Sequence, residues 1–135
     1  MKNKPILIVA GDSKSIFFDI FLKSIKLNNF QSPIILIASS KLLKSYLKDN
    51  KYKFKINQLD QDKLKFYKLN NSKINLLDVK YKNSNDYIKN NLDLAFKILK
   101  SGFSYKFING PINKTKFLNK KYLGITEYIS NKFNT

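Results

Sequence analysis

The sequence predicts an α/β fold, a single domain over residues 1–135 with a mostly parallel β-sheet and helices on both of its faces. Two short runs, Ile6 to Ala10 and Pro33 to Ala38, are apolar throughout, as strands buried on both faces of a parallel sheet must be. Each is followed by serines and then by apolar residues at helical spacing, so strand and helix alternate. At 135 residues and 43% hydrophobic the chain can bury one core, and no internal repeat or linker divides it.

The elements follow in order. After the first strand, Gly11-Asp12-Ser13-Lys14-Ser15 supplies two hydroxyls, Ser13 and Ser15, either of which can cap a helix reaching about Leu27. Ile16, Phe17, Ile20, Phe21, Ser24 and Ile25 give that helix its spacing. After the second strand, Ser39-Ser40 opens a helix through about Lys48, with Leu42, Leu43, Tyr46 and Leu47 inward. Residues 52–79 are less regular, with strands predicted near Lys53 to Asn57 and Lys73 to Val79. Ser84 or Asn85 then starts the longest helix, about Asp86 to Ser101, striped by Tyr87, Ile88, Leu92, Leu94, Ala95, Ile98 and Leu99. Gly102 follows in the position where a left-handed residue ends a helix. Tyr105 to Ile108 returns as a strand into a Gly-Pro turn.

Composition narrows the chemistry. The chain has neither cysteine nor histidine, which removes disulfides, thiolate metal sites, the commonest metal ligand and the commonest neutral-pH base. The apolar run at the N-terminus is about half the length of a signal-peptide core or a membrane span, so a cytoplasmic protein with no membrane association is predicted. A formal charge of +17 raises nucleic acid as a partner. Against it, every basic residue is lysine and the lysines run from Lys2 to Lys132 without concentrating in one element, as a gene rich in A/T codons would produce. Lys51-Tyr52-Lys53-Phe54-Lys55-Ile56 alternates lysine with apolar residues and fits an edge strand guarded by lysines, or a basic aromatic strand stacking on bases.

In a parallel sheet ligands gather outside the carboxyl ends of the strands, and two loops fall there. Gly11 to Ser15 carries one glycine where a dinucleotide turn wants three, so it reads as a capped strand-to-helix turn. Asn109-Gly110-Pro111 turns sharply and delivers Lys114 to the start of a further helix, where a lysine is either an anion-site residue or one more surface cation. Gly124, Thr126 and Glu127 follow, Glu127 being the chain's sole glutamate; Thr-Glu after glycine is also an ordinary helix opening.

Three segments share the order and spacing of a known family. They are Gly11-Asp12-Ser13-Lys14-Ser15-Ile16-Phe17-Phe18-Asp19, Ile108-Asn109-Gly110-Pro111-Ile112-Asn113-Lys114 and Gly124-Ile125-Thr126-Glu127-Tyr128. With these the chain resembles the N-terminal part of the 4-hydroxythreonine-4-phosphate dehydrogenases, PdxA. The resemblance implies an isocitrate/isopropylmalate-dehydrogenase-like fold and the NAD-dependent oxidation, with decarboxylation, of 4-phosphooxy-L-threonine in pyridoxal phosphate biosynthesis. It implies a divalent metal held by histidines and a site shared across a homodimer. Carried over residue by residue, Thr126 binds substrate, Ile125 stands where the family has histidine, and Lys114 joins them, with Gly110, Pro111, Gly124, Glu127 and Asp12 in support. Ile125 cannot make the hydrogen bond a histidine makes. No catalytic residue and no metal ligand can be assigned within the chain. Family members are roughly twice as long, and the metal histidines and most of the nicotinamide site would follow Thr135. The chain is therefore expected to be an N-terminal portion, inactive alone and completed by a missing C-terminal half. A degenerate, non-catalytic relative and a basic nucleic-acid-binding domain are the alternatives.

Overall fold

The computed structural model of the chain describes residues 4–111. Five strands, β1 (Ile6–Val9), β2 (Ile34–Ala38), β3 (Ile56–Gln58), β4 (Ile74–Asp78) and β5 (Lys106–Asn109), form one sheet in the order β3-β4-β2-β1-β5. Every pairing is parallel, with Leu7 opposite both Ile35 and Phe107 and Leu36 opposite Leu76. Three helices, α1 (Phe17–Leu27), α2 (Ser40–Asp49) and α3 (Ser84–Lys100), and a 3-10 turn at Gln61–Phe66 connect them.

The strand order decides which face each helix covers. Through α1 and α2 the chain steps from β1 towards β3, whereas through α3 it crosses back from β4 to β5. Because such crossovers are right-handed, opposite directions of travel put the helices on opposite faces. Side-chain alternation along β2 meets this demand. Ile34, Leu36 and Ala38 pack with Phe21, Leu22, Leu43 and Leu47 of α1 and α2, and Ile35 and Ile37 pack with Leu92, Ala95 and Ile98 of α3. Burying a side chain such as Leu92 stabilises the fold by about 1.5–3 kcal/mol. The sheet is thus wholly parallel with helices on both faces, as the alternation of the sequence predicts. Burial on both faces is complete in β2, whereas Ile6 and Ile8 of β1 are only half-buried.

Several boundaries move, each for a local reason. Helix α1 begins at Phe17 with Ile16 at its N-cap, so neither Ser13 nor Ser15 caps it, because Asp12 turns the preceding loop: its Oδ1 accepts from Lys14 N at 3.0 Å and its carbonyl from Ser15 N at 3.0 Å. Its buried face is Phe17, Phe21 and Leu22, leaving Ile16 and Ile20 exposed. Ser39 is the N-cap of α2, accepting from Leu42 N at 3.2 Å, and Asn83 caps α3, one residue before the predicted Ser84 and two before Asn85. Gly102 adopts φ +81 after α3, as its position predicts.

Strand β3 is shorter than predicted, since Lys53 to Lys55 precede it. Tyr52 and Phe54 instead stack in series with Tyr46, at 6.4 and 6.0 Å between centroids, while the lysines between them face water. The 3-10 turn, with buried Leu64 as its anchor, carries too few apolar residues to show in the sequence.

Candidate functional site at the carboxyl ends of the strands

Because all five strands run the same way, their carboxyl ends share one rim. Gly11–Ser15, Ser39–Ser40, residues 79–83 and Gly110–Pro111 lie along it. The chain leaves β2 for α2 on one face and leaves β4 for α3 on the other, so the connections diverge between these neighbours, the position at which open α/β sheets take ligands.

At β1 and β5 two of the sequence motifs meet through their backbones. Gly110 N donates to Val9 O at 2.7 Å and Asp12 N to Pro111 O at 2.7 Å. A Cβ on Gly11 would stand 2.0 Å from Pro111 O, and one on Gly110 would stand 2.6 Å from Gly11 N and 2.7 Å from Phe17 Cδ1. Both glycines are therefore required by close approach. The open side of Gly11 is filled by Pro111, so the loop holds no cradle for a pyrophosphate, in keeping with its lone glycine.

At β2 and β4 the rim is polar and self-satisfied. Asp78 Oδ1 accepts from Ser40 N at 2.8 Å, so a carboxylate of the chain itself occupies the positive end of α2 and repels a second anion there. The Tyr87 hydroxyl accepts from Ser39 N at 2.8 Å, and burial pushes this phenol above its ordinary range. The Tyr81 ring meets Tyr87 edge-on at 5.2 Å and its hydroxyl lies 3.2 Å from Ser84 Oγ. Hydrogen bonds from Ser13, then Ser84, lower the Tyr81 pKa by favouring its anion. Through these two rings the loops after β1, β2 and β4 are tied together.

Beneath them Asn91 is fully buried. Its Nδ2 donates to Ala10 O at 3.4 Å, and its Oδ1 has no partner. A stranded buried acceptor costs about 1–3 kcal/mol, and such groups mark places where something other than packing is served.

The structure thus places Asp12, Gly110 and Pro111 together. Lys114, Gly124, Ile125, Thr126 and Glu127 lie outside the described residues. Sequence reasoning missed Asp78, Tyr81 and Asn91 as rim residues. Asn91 alone left a signal: it interrupts the buried stripe of Tyr87, Ile88, Leu92 and Ala95 with a polar residue at an inward position. A cavity of about 970 Å³ opens at the opposite, amino ends of the strands and contributes nothing to this rim.

Among the described residues no group of three or more carboxylates, imidazoles or thiols comes together, so they do not fit a metal site. Nor is any helix among them long and apolar enough to cross a membrane.

The described residues thus form an open, parallel α/β sheet fold whose strands share one carboxyl rim. Solved structures share that fold, two of them closely along its length. The 4-hydroxythreonine-4-phosphate dehydrogenase from Klebsiella pneumoniae superposes with a TM-score of 0.82 at 18% identity, covering 98% of this chain and 45% of its own. The enzyme of that name from Burkholderia phymatum gives 0.78 at 18% identity, covering 98% of this chain and 44% of its own. The chain therefore spans less than half the length of the structures it resembles. No protein-family model and no curated protein matches its sequence.

Proposed function

We propose that the chain forms part of a PdxA-like dehydrogenase, contributing one wall of a site for 4-phosphooxy-L-threonine. The observation that carries this reading is the packing of the Gly11-Asp12 loop against Gly110-Pro111. Two of the motifs on which the resemblance rests are joined by it at the carboxyl rim, within a fold shared along 98% of the chain.

In this reading Lys114 pairs with the substrate phosphate. Thr126 donates or accepts a hydrogen bond, and Ile125 offers an aliphatic contact where the family has histidine. NAD, when bound, takes up the hydride from the substrate alcohol. The described residues supply neither a pyrophosphate cradle nor a metal ligand set, so the oxidation is not assigned to them. The part of the chain in this reading is to bind and orient the substrate through Lys114 and Thr126, in an oxidoreductase that the chain does not constitute alone.

Isothermal titration with 4-phosphooxy-L-threonine tests this. The chain should bind it, and Lys114→Gln and Thr126→Val should each weaken binding by about tenfold, as loss of a hydrogen bond to a charged group does. Absence of binding, or unchanged affinity in both variants, removes the proposed wall. NADH formation by the chain alone with added divalent metal would refute its inactivity.

A further inference from the structure

The amino ends of the strands carry a feature that the carboxyl rim does not use. A trough of about 970 Å³ opens there, floored by Leu64, Leu69, Ile98 and Phe103 and lined by Lys4, Lys65, Lys68 and Lys97, with Asp62 as its acid. These lysines come from the chain before β1, from the 3-10 turn, from the segment after it and from α3, so only the fold gathers them. The ammonium groups of Lys65, Lys68 and Lys97 have no carboxylate partner among the described residues.

Three exposed aromatic residues lie at the same end of the sheet, beside residues that line the trough though not lining it themselves. Phe66, 78% exposed, lies between the lining residues Lys65 and Tyr67; Phe30, 40% exposed, precedes the lining residue Gln31. Tyr105, 72% exposed, is held by Lys4, whose Nζ lies 2.6 Å from the hydroxyl and 3.8 Å from the ring centroid. Every large aromatic residue exposed among the described residues is therefore at this end of the sheet. Leaving three such rings in water loses the stabilisation of burying them.

We propose that this trough binds single-stranded nucleic acid. Lysines without acids attract phosphates, and separate exposed rings offer successive stacking platforms, which are the two features that hold single strands irrespective of sequence. Several separate rings offer platforms for successive bases, which favours a strand over one nucleotide. An unmodified lysine surface would bind duplex and single strand alike; the rings favour unstacked bases.

Fluorescence anisotropy of a labelled ten-nucleotide deoxythymidine strand, titrated with the chain from 20 to 300 mM KCl, tests this. Binding should weaken with salt at a log–log slope of about −2, from roughly 0.7 per phosphate contact over three lysines. Phe66→Ala should weaken it by about fivefold or more with the slope unchanged, in line with the loss of one stacked base. Lys65→Gln with Lys68→Gln should make the slope shallower by about 1.4. The same charge change in Lys41→Gln with Lys44→Gln, on exposed positions of α2, should leave binding as it was. No binding at 20 mM KCl overturns the proposal. So does equal weakening by the α2 pair, which would mean diffuse charge, or full affinity in Phe66→Ala. Preference for duplex, or displacement by adenosine monophosphate at strand-like concentrations, does the same.

Discussion

Gly11 and Gly110 occupy a space with no room for a side chain on either: the carbonyl of Pro111 stands 2.0 Å from where a Cβ on Gly11 would be, and Gly11 N stands 2.6 Å from that of Gly110. The obstacles are backbone, so neither can swing away. Gly11→Ala and Gly110→Ala should each destabilise the domain by about 2–4 kcal/mol in urea unfolding. The double variant should cost less than the sum, since the first substitution already separates the loops. Gly102→Ala meets nothing within 4 Å and should cost only the strain of its positive φ, about 1 kcal/mol.

Asp78 and Ser40 make the second joint of the rim. Removing the carboxylate with Asp78→Ala leaves Ser40 N without its 2.8 Å partner at the positive end of α2. A loss of about 1–2 kcal/mol is expected. The same change opens that helix terminus, so sulfate should protect the variant against thermal unfolding more than it protects the parent. Equal protection would show that Asp78 is not guarding an anion position.

Tyr87 links stability to alkaline pH. Its pKa is raised in the folded chain by burial, so the unfolded phenol ionises first, near pH 10. Its contribution is full below that value and is lost as pH rises through the folded pKa. Tyr87→Phe should lower stability at pH 7 by about 1–2 kcal/mol, because Ser39 N loses its acceptor, and should flatten the decline above pH 10. Tyr81 acts in the opposite sense: its lowered pKa gives a contribution present above the unfolded value and lost as pH falls through the folded one.

Asn91 offers a test of why a polar group is kept in a dry place. Asn91→Leu keeps the volume and removes the stranded Oδ1, at the loss of the 3.4 Å hydrogen bond to Ala10 O and of the side-chain hydrogen bond to Tyr87. Thermal unfolding should show stability unchanged or higher by about 1 kcal/mol. If the rim is a substrate wall, the same variant should bind 4-phosphooxy-L-threonine less well.

The layout of the domain was legible where local patterning is strong. Ile34 to Ala38 had to be an internal strand, the Tyr87-to-Ile98 stripe had to be a helix against a sheet, and Gly102 had to end it. The chain between residues 52 and 79 was not, because β3 pairs with a strand encountered later and the 3-10 turn rests on the single anchor Leu64. At the rim, glycine and proline announced Gly110-Pro111. Nothing local announced Tyr81, whose role exists only through Ser13 and Tyr87 on other loops.

The sequence by itself determined the alternation of strand and helix, the absence of imidazole and thiolate chemistry, and the motifs on which the dehydrogenase resemblance rests. These follow from residue type and spacing along the chain. Tertiary structure alone decided that Gly11 and Gly110 share one space, and that Asp78 closes the end of α2. It likewise decided that lysines scattered from Lys4 to Lys97 meet around one trough. Each depends on the strand order β3-β4-β2-β1-β5, which is set by long-range pairing and the handedness of the crossovers, and no local stretch of sequence encodes it.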